Sequence, residues 1–199
     1  MTAAEVVAAA LAEDLGGRGD ITSELLVPAG AIATARVVAR RPGVLAGREA
    51  AEEVLRQTGV SGDWRLDDGA PLEPGSVVCE IDGSARSVLT AERTLLNLLC
   101  HLSGVATLTA AYVEAAAPAA VLDTRKTTPG MRALEKAAVV AGGGVNHRMG
   151  LHDRVLVKDN HLAAAAARGV TVGEVVRLAR ASAAHTLRIE VEVTDADQA

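Results

Sequence analysis

Phenylalanine is absent from these 199 residues, and Trp64 and Tyr112 are the only aromatic side chains of the other two kinds. A core must therefore be packed from Ala, Val, Leu and Ile, and base stacking is excluded as a mode of nucleic-acid recognition. Cysteine occurs twice, at Cys79 and Cys100, without the paired spacing of a metal site. No disulfide is expected, and both thiols are read as buried in a protein of a reducing compartment. Positive charge is also scarce: 20 Lys and Arg against 25 Asp and Glu leave a formal charge of −5. That balance argues against general affinity for nucleic acid or anionic membranes. No apolar run approaches the ~20 residues of a membrane span, and Met1-Thr2-Ala3-Ala4-Glu5 lacks a basic leader. The expectation is a soluble, cytoplasmic protein acting on a small substrate.

What is present is 49% hydrophobic residues in a chain long enough to bury a sizeable core. Residues 3–13 have helical composition, and the glycine-rich stretch from Glu13 to Asp20 reads as a structured loop. Residues 32–40 and 77–81 are β-compatible, with a helical segment over 49–57 between them. From Ser87 to Ala117 an apolar stripe of Leu95, Leu98, Leu99, Leu102 and Val105 indicates helix, divided by Gly104 and ended by Pro118. Beyond Pro118 the rhythm changes to short apolar runs at 119–122, 155–157 and 187–193, alternating with helices over 131–141 and 172–183. Alternation of this kind predicts parallel β/α units whose functional residues collect at the C-terminal ends of the strands. Two domains are expected, 1–117 and 118–199. Three such units do not close an eight-stranded barrel, so the chain is read as part of a longer one.

Charge follows or ends each of the three runs: Asp123-Thr124-Arg125-Lys126-Thr127-Thr128, then Lys158-Asp159-Asn160-His161, then Glu190 and Glu192. Between Asp123 and His161 seven Lys and Arg stand against four Asp and Glu, the opposite of the whole-chain balance. A local anion site is implied, in which Arg125 or Arg148 grips a carboxylate with a two-donor fork. The period of a strand puts Glu190 and Glu192 on one face, opposite Ile189, Val191 and Val193, and burial of that acidic face demands cationic or metal partners. Gly142-Gly143-Gly144 lacks the flanking order of a phosphate-binding loop and is read as a flexible turn that lets His147 and Arg148 enter the site. His147 and His152 lack a third ligand at a zinc spacing, so no metal held by protein side chains alone is expected.

Order and spacing of three segments, Asp123 to Arg132, Gly143 to Leu151 and Val157 to His161, closely resemble quinolinate phosphoribosyltransferases. Glu13-Asp14-Leu15, Gly19-Asp20-Ile21-Thr22 and Glu92 to Leu98 extend the likeness over nearly the whole chain. The resemblance implies an N-terminal α/β sandwich domain followed by a TIM-like α/β barrel, incomplete in this chain, and a homodimer or higher assembly. It implies Arg93 (acting across a subunit interface), Arg125, His147, Arg148 and Lys158 as quinolinate ligands. Lys126 would stand between quinolinate and phosphoribosyl pyrophosphate, with Thr127 beside it and Glu192 near the ribose and Mg²⁺. Catalysis would then fall to Lys126, Lys158 and Glu192, with Mg²⁺ arriving with the phosphoribosyl pyrophosphate. Three other readings fit the same cations: a paralogue acting on another anionic heterocycle, an aldolase using Lys158 as a Schiff-base nucleophile, and a non-catalytic chain that binds anions or oligomerises.

Overall fold

The computed structural model describes residues 1–196 and divides the chain into two compact units, Met1–His147 and Arg148–Ala199. The expected domain boundary lies after residue 117, whereas residues 118–147 pack with the N-terminal unit.

The first unit opens with helix α1 (Ala3–Leu15), whose capping box joins Thr2 and Glu5. The stretch read as loop ends at Asp20, whose side chain starts a further short helix, α2 (Ile21–Leu26), by accepting the Ser23 N–H at 3.0 Å. Strand β1 (Ile32–Val38) is followed by the short β2 (Gly43–Val44), helix α3 (Arg48–Thr58), β3 (Ser61–Trp64), β4 (Pro71–Leu72) and β5 (Val77–Ser84). The antiparallel order is β1-β5-β3, with β2 and β4 forming a separate pair. Thr34 and Arg36 on one face of β1 meet Asp82 and Glu80 of β5 at 2.6 and 3.0 Å. On the other face Ala35, Val37, Cys79 and Ile81 enter the core, as strand periodicity requires. The short strands β2, β3 and β4 carry too few alternating residues to be recognised locally.

Helix α4 (Ala85–Ala116) runs unbroken through Gly104 for 32 residues, so the expected division there is corrected. Its buried face, including Ala91, Leu95, Leu98, Leu102 and Ala106, packs against α3 and the sheet. Each of those leucines contributes roughly 1.5–3 kcal/mol by leaving water. By length and composition alone α4 is also apolar enough to cross a membrane, contrary to the reading that no segment has those dimensions. Its two-sided character, with Glu92, Arg93, Asn97 and His101 exposed along the opposite face, is that of a helix at the edge of a core. Helix α5 (Arg132–Ala141) packs on α4. The run at 119–122 forms no regular strand: a single parallel bridge joins Leu122 to Val145.

The second unit holds β6 (Val155–Val157), α6 (Asp159–Ala166), α7 (Val172–Ser182) and β7 (Ile189–Val191). β6 and β7 pair in parallel, as alternation predicted, and the Glu192 N–H extends the ladder to the Val157 carbonyl at 2.9 Å. The architecture is thus mixed α/β.

Candidate functional site

In the first unit the site is organised by Asp123, which follows the bridged Leu122. Its carboxylate is ion-paired with Lys136 on α5, and Oδ1 also accepts the His147 N–H at 2.8 Å. The Asn146 amide nitrogen, oriented toward acceptors, donates to Asp123 Oδ2 at 2.6 Å and to the Lys136 carbonyl at 3.0 Å. Main-chain bonds from Asp123 N to Val145 O (3.1 Å) and from Val145 N to Val121 O (2.9 Å) complete the junction. Sequence reasoning counted Lys136 only as one more cation. A lysine between Glu135 and Ala137 looks like any exposed helix residue, and nothing local signals that it is buried.

The loop beyond Asp123 is tied down at successive points. Thr124 Oγ1 accepts the Lys126 N–H at 3.0 Å, Arg132 Nε donates to Thr127 Oγ1 at 3.1 Å, and the Thr128 N–H donates to Glu135 Oε2 at 3.2 Å. Glu135 Oε1 lies 2.9 Å from His101 Nε2 on α4. Burial works to raise the Glu135 pKa, but the bonds from Thr128 and His101 outweigh it and hold the carboxyl below its ordinary range. Lys126 is exposed, and Arg125 is half-buried. Among the described residues Arg125 Nε is buried with no hydrogen-bond partner. An orphaned donor on a guanidinium costs about 1–3 kcal/mol or more, so this group calls for a partner.

The triple glycine is packed tightly, contrary to the flexible turn expected. A Cβ on Gly142 would lie 2.8 Å from Thr109 Cβ and strike the Ala106 carbonyl, and one on Gly144 would lie 2.7 Å from Val139 Cγ1. The glycines let the backbone after α5 lie directly on α4, and Gly143 supplies a left-handed turn at φ +85°. The thiols also divide: Cys79 is buried, but Cys100 is exposed on α4, so the pair of buried thiols is corrected and both are free.

In the second unit Lys158 directly follows β6 and Glu192 directly follows β7, at the C-terminal ends of parallel strands. Their Nζ and Oε2 are 3.2 Å apart. Glu190 similarly meets Arg154 at 3.3 Å. Both glutamates are exposed while Ile189, Val191 and Val193 are half-buried, so the face assignment holds, but the acidic face is not buried and its pairing with cations is not forced by desolvation. The imidazole of His161 accepts the Lys158 N–H at Nδ1 (2.9 Å), fixing the start of α6. Asp153 accepts N–H bonds from Gly150 (2.9 Å) and Met149 (2.6 Å), which lower its pKa and shape the turn after Arg148. Arg148 itself is buried.

The expected residues thus fall into two sets. Arg93, Arg125, Lys126, Thr127 and His147 belong to the first unit, where Asp123 joins the segments carrying Arg125 and His147, while Arg93 stands on the exposed face of α4. Arg148, Lys158 and Glu192 belong to the second, where Lys158 and Glu192 touch. Among the described residues no group of three His, Cys, Asp or Glu side chains is placed to hold a metal ion.

Comparison with known proteins identifies the family. The family model described as quinolinate phosphoribosyl transferase, N-terminal domain, matches residues 20–103, and that of the C-terminal domain matches 105–199. A nicotinate-nucleotide pyrophosphorylase (carboxylating) of Mycobacterium leprae is 48% identical over 98% of this chain, which spans 69% of that protein. A quinolinate phosphoribosyltransferase (decarboxylating) of Nicotiana tabacum is 43% identical over 80% of this chain, and the match spans 46% of the tobacco protein. The solved nicotinate-nucleotide pyrophosphorylase of Francisella tularensis superposes with a TM-score of 0.86 at 36% identity, covering 98% of this chain and 68% of its own.

Proposed function

Because the chain belongs to the quinolinate phosphoribosyltransferase family, we propose that the protein joins quinolinate to the phosphoribosyl group of phosphoribosyl pyrophosphate and decarboxylates the product, a step of NAD biosynthesis. The products are nicotinate mononucleotide, CO₂ and pyrophosphate. The observation that carries this reading is Arg125, a guanidinium with a buried donor awaiting an acceptor, in a window where seven Lys and Arg stand against four Asp and Glu within an acidic chain. Quinolinate is a dianion, and holding its carboxylates out of water requires several fixed cations. Arg93, Arg125, His147, Arg148 and Lys158 are assigned that role, with Lys126 between the two substrates and Thr127 beside it.

The ring nitrogen attacks the anomeric carbon as the bond to pyrophosphate breaks, and the sugar passes through an oxocarbenium-like state. The Glu192 carboxylate stabilises that positive charge or orients the ribose hydroxyls, and its pairing with Lys158 keeps the two groups in register. The resulting pyridinium withdraws the electron pair left when the neighbouring carboxylate departs as CO₂, and a proton from solvent completes the product. Mg²⁺ is assigned to the phosphoribosyl pyrophosphate: a diphosphate-bound ion needs only one or two protein carboxylates, and bound there it would offset negative charge on the leaving group. Glu192 fits that requirement.

We read the N-terminal unit's sheet and helices as the family's sandwich domain, and the Leu122–Val145 bridge with β6 and β7 as the first strands of its barrel. The working form is a cytoplasmic homodimer or higher assembly in which Arg93 serves a neighbour's site. The decisive experiment uses a version spanning the full length of its relatives and measures pyrophosphate release with each substrate omitted in turn. Release that requires both supports the assignment, and absence of quinolinate dependence rejects it. A panel of other anionic heterocycles separates a paralogue. Borohydride trapping of Lys158 with carbonyl substrates would identify the aldolase alternative.

A further inference from the structure

Lys136 is 1% exposed, and nothing in the chemistry above employs it. A buried ammonium is tolerable only with a compensating charge, and Asp123 supplies one, the two side chains being 2% and 6% exposed. For stability alone an apolar pair of similar volume would serve as well or better. A carboxylate at this position does something an apolar residue cannot: from two segments it takes three donors at once. These are Lys136 on α5, the Asn146 amide and the His147 main chain. Arg125 lies two residues beyond Asp123, and both are half-buried on either side of the exposed Thr124.

We propose that Asp123 and Lys136 are positioning residues. The buried pair locks the Asn146–His147 segment to the Asp123–Thr128 segment and so holds Arg125 and His147 in the geometry that receives the anionic substrate. The identity of that substrate rests on the quinolinate reading above, but the lock itself does not. Neither residue touches substrate: each acts through the main chain it anchors.

The test uses the full-length protein with the substitutions Asp123→Asn and Lys136→Met combined, which remove both charges and leave neither uncompensated. The expected result is an apparent quinolinate KM raised about tenfold or more, as for loss of ground-state contacts, with the KM for phosphoribosyl pyrophosphate within about twofold of the parent. A role confined to stability instead shrinks the active fraction, lowering kcat with both KM values unchanged, and that outcome overturns the proposal. Asn146→Ala, at an exposed position, removes one donor without disturbing the core and keeps the question decidable where the double variant does not fold. It should raise the quinolinate KM about threefold or more, as expected for loss of the bonds to the Asp123 carboxylate and the Lys136 carbonyl, and no change counts against the lock. Hydrogen exchange at the His147 amide gives a readout independent of substrate: it should quicken about tenfold or more in the double variant. Unaltered exchange overturns the proposal even if activity changes. If the parent shows no quinolinate-dependent release, the functional reading fails while exchange still decides the lock.

Discussion

At the scale of single residues, the protein invests its polar groups unevenly. Surface pairs such as Arg36–Glu80 and Arg65–Glu80 are exposed and contribute little to stability. Lys158–Glu192 is likewise exposed on both sides. Glu192→Gln should therefore leave the melting temperature within about 2 °C of the parent, while kcat falls by tenfold or more if the carboxylate stabilises developing charge. A loss of stability with kcat intact would instead mark the pair as scaffolding. Arg148→Ala removes a charge-assisted contact and should raise the quinolinate KM by about 2 kcal/mol, more than tenfold, in initial-rate measurements. Cys79 is governed by burial, which pushes its thiol up to about 11 from 9.0. The unfolded chain forms thiolate first as pH rises, so this group's contribution is complete below pH 9.0 and is lost between 9.0 and about 11. Peptide mapping after alkylation at pH 8 should find Cys79 untouched until denaturant is added. Modification in the native protein would contradict its burial.

Among the elements, α4 is the organising member. It presents Leu95, Leu98 and Leu102 to the core, carries Arg93 on its exposed face, and receives the backbone of Gly142 directly. Two glycines touching this helix should respond in opposite directions. Gly104 is helical with open space around its Cα, so Gly104→Ala should stabilise by about 0.5–1 kcal/mol through reduced freedom of the unfolded chain. Gly142→Ala forces a methyl group into the Ala106 carbonyl and should destabilise by about 2 kcal/mol or more. Denaturant unfolding of the two variants compares them directly, and equal shifts would show that the packing of residues 142–144 on α4 is misdescribed. The failed division of α4 at Gly104 has the same cause as its length. Apolar residues continue on one face through the glycine, and tertiary packing outweighs a propensity deficit of about 1 kcal/mol.

At the scale of the whole molecule, the chain leaves Leu25, Leu26, Ile32 and Leu151 more than 70% exposed, at 77%, 77%, 76% and 73%. Scattered apolar side chains are ordinary on protein surfaces, but Leu25 and Leu26 end the short helix α2 and Ile32 opens β1 close by in sequence. The 199 residues alone should therefore self-associate, visible as concentration-dependent sedimentation, and a monodisperse monomer that unfolds cooperatively would contradict this. Assembly also bears on Arg93. If it serves a neighbour's site, Arg93→Ala and Arg148→Ala variants of the full-length protein, each inactive alone, should complement when subunits are exchanged. In a dimer, random pairing leaves half the molecules mixed, each with one intact site, giving about a quarter of parental activity. Additive residual activity without recovery would confine Arg93 to its own subunit.

Much of this protein was legible in its residues because the informative patterns are local. The two-residue alternation of Leu187 to Val193, the apolar stripe of α4 and the charges after Val157 each depend on neighbours within one element, and the run from Asp123 to Arg132 carries the family resemblance on order alone. What depends on residues far apart in the chain was decided by tertiary structure. Gly142 and Gly144 accommodate a helix some 35 residues away rather than a phosphate, and Cys100 faces outward although Cys79 does not. Lys136 shows the division most plainly. Nothing beside it in sequence distinguishes a solvated lysine from a buried one, because the cost of burying its charge is met by a carboxylate thirteen residues earlier, and only the folded chain brings the two together.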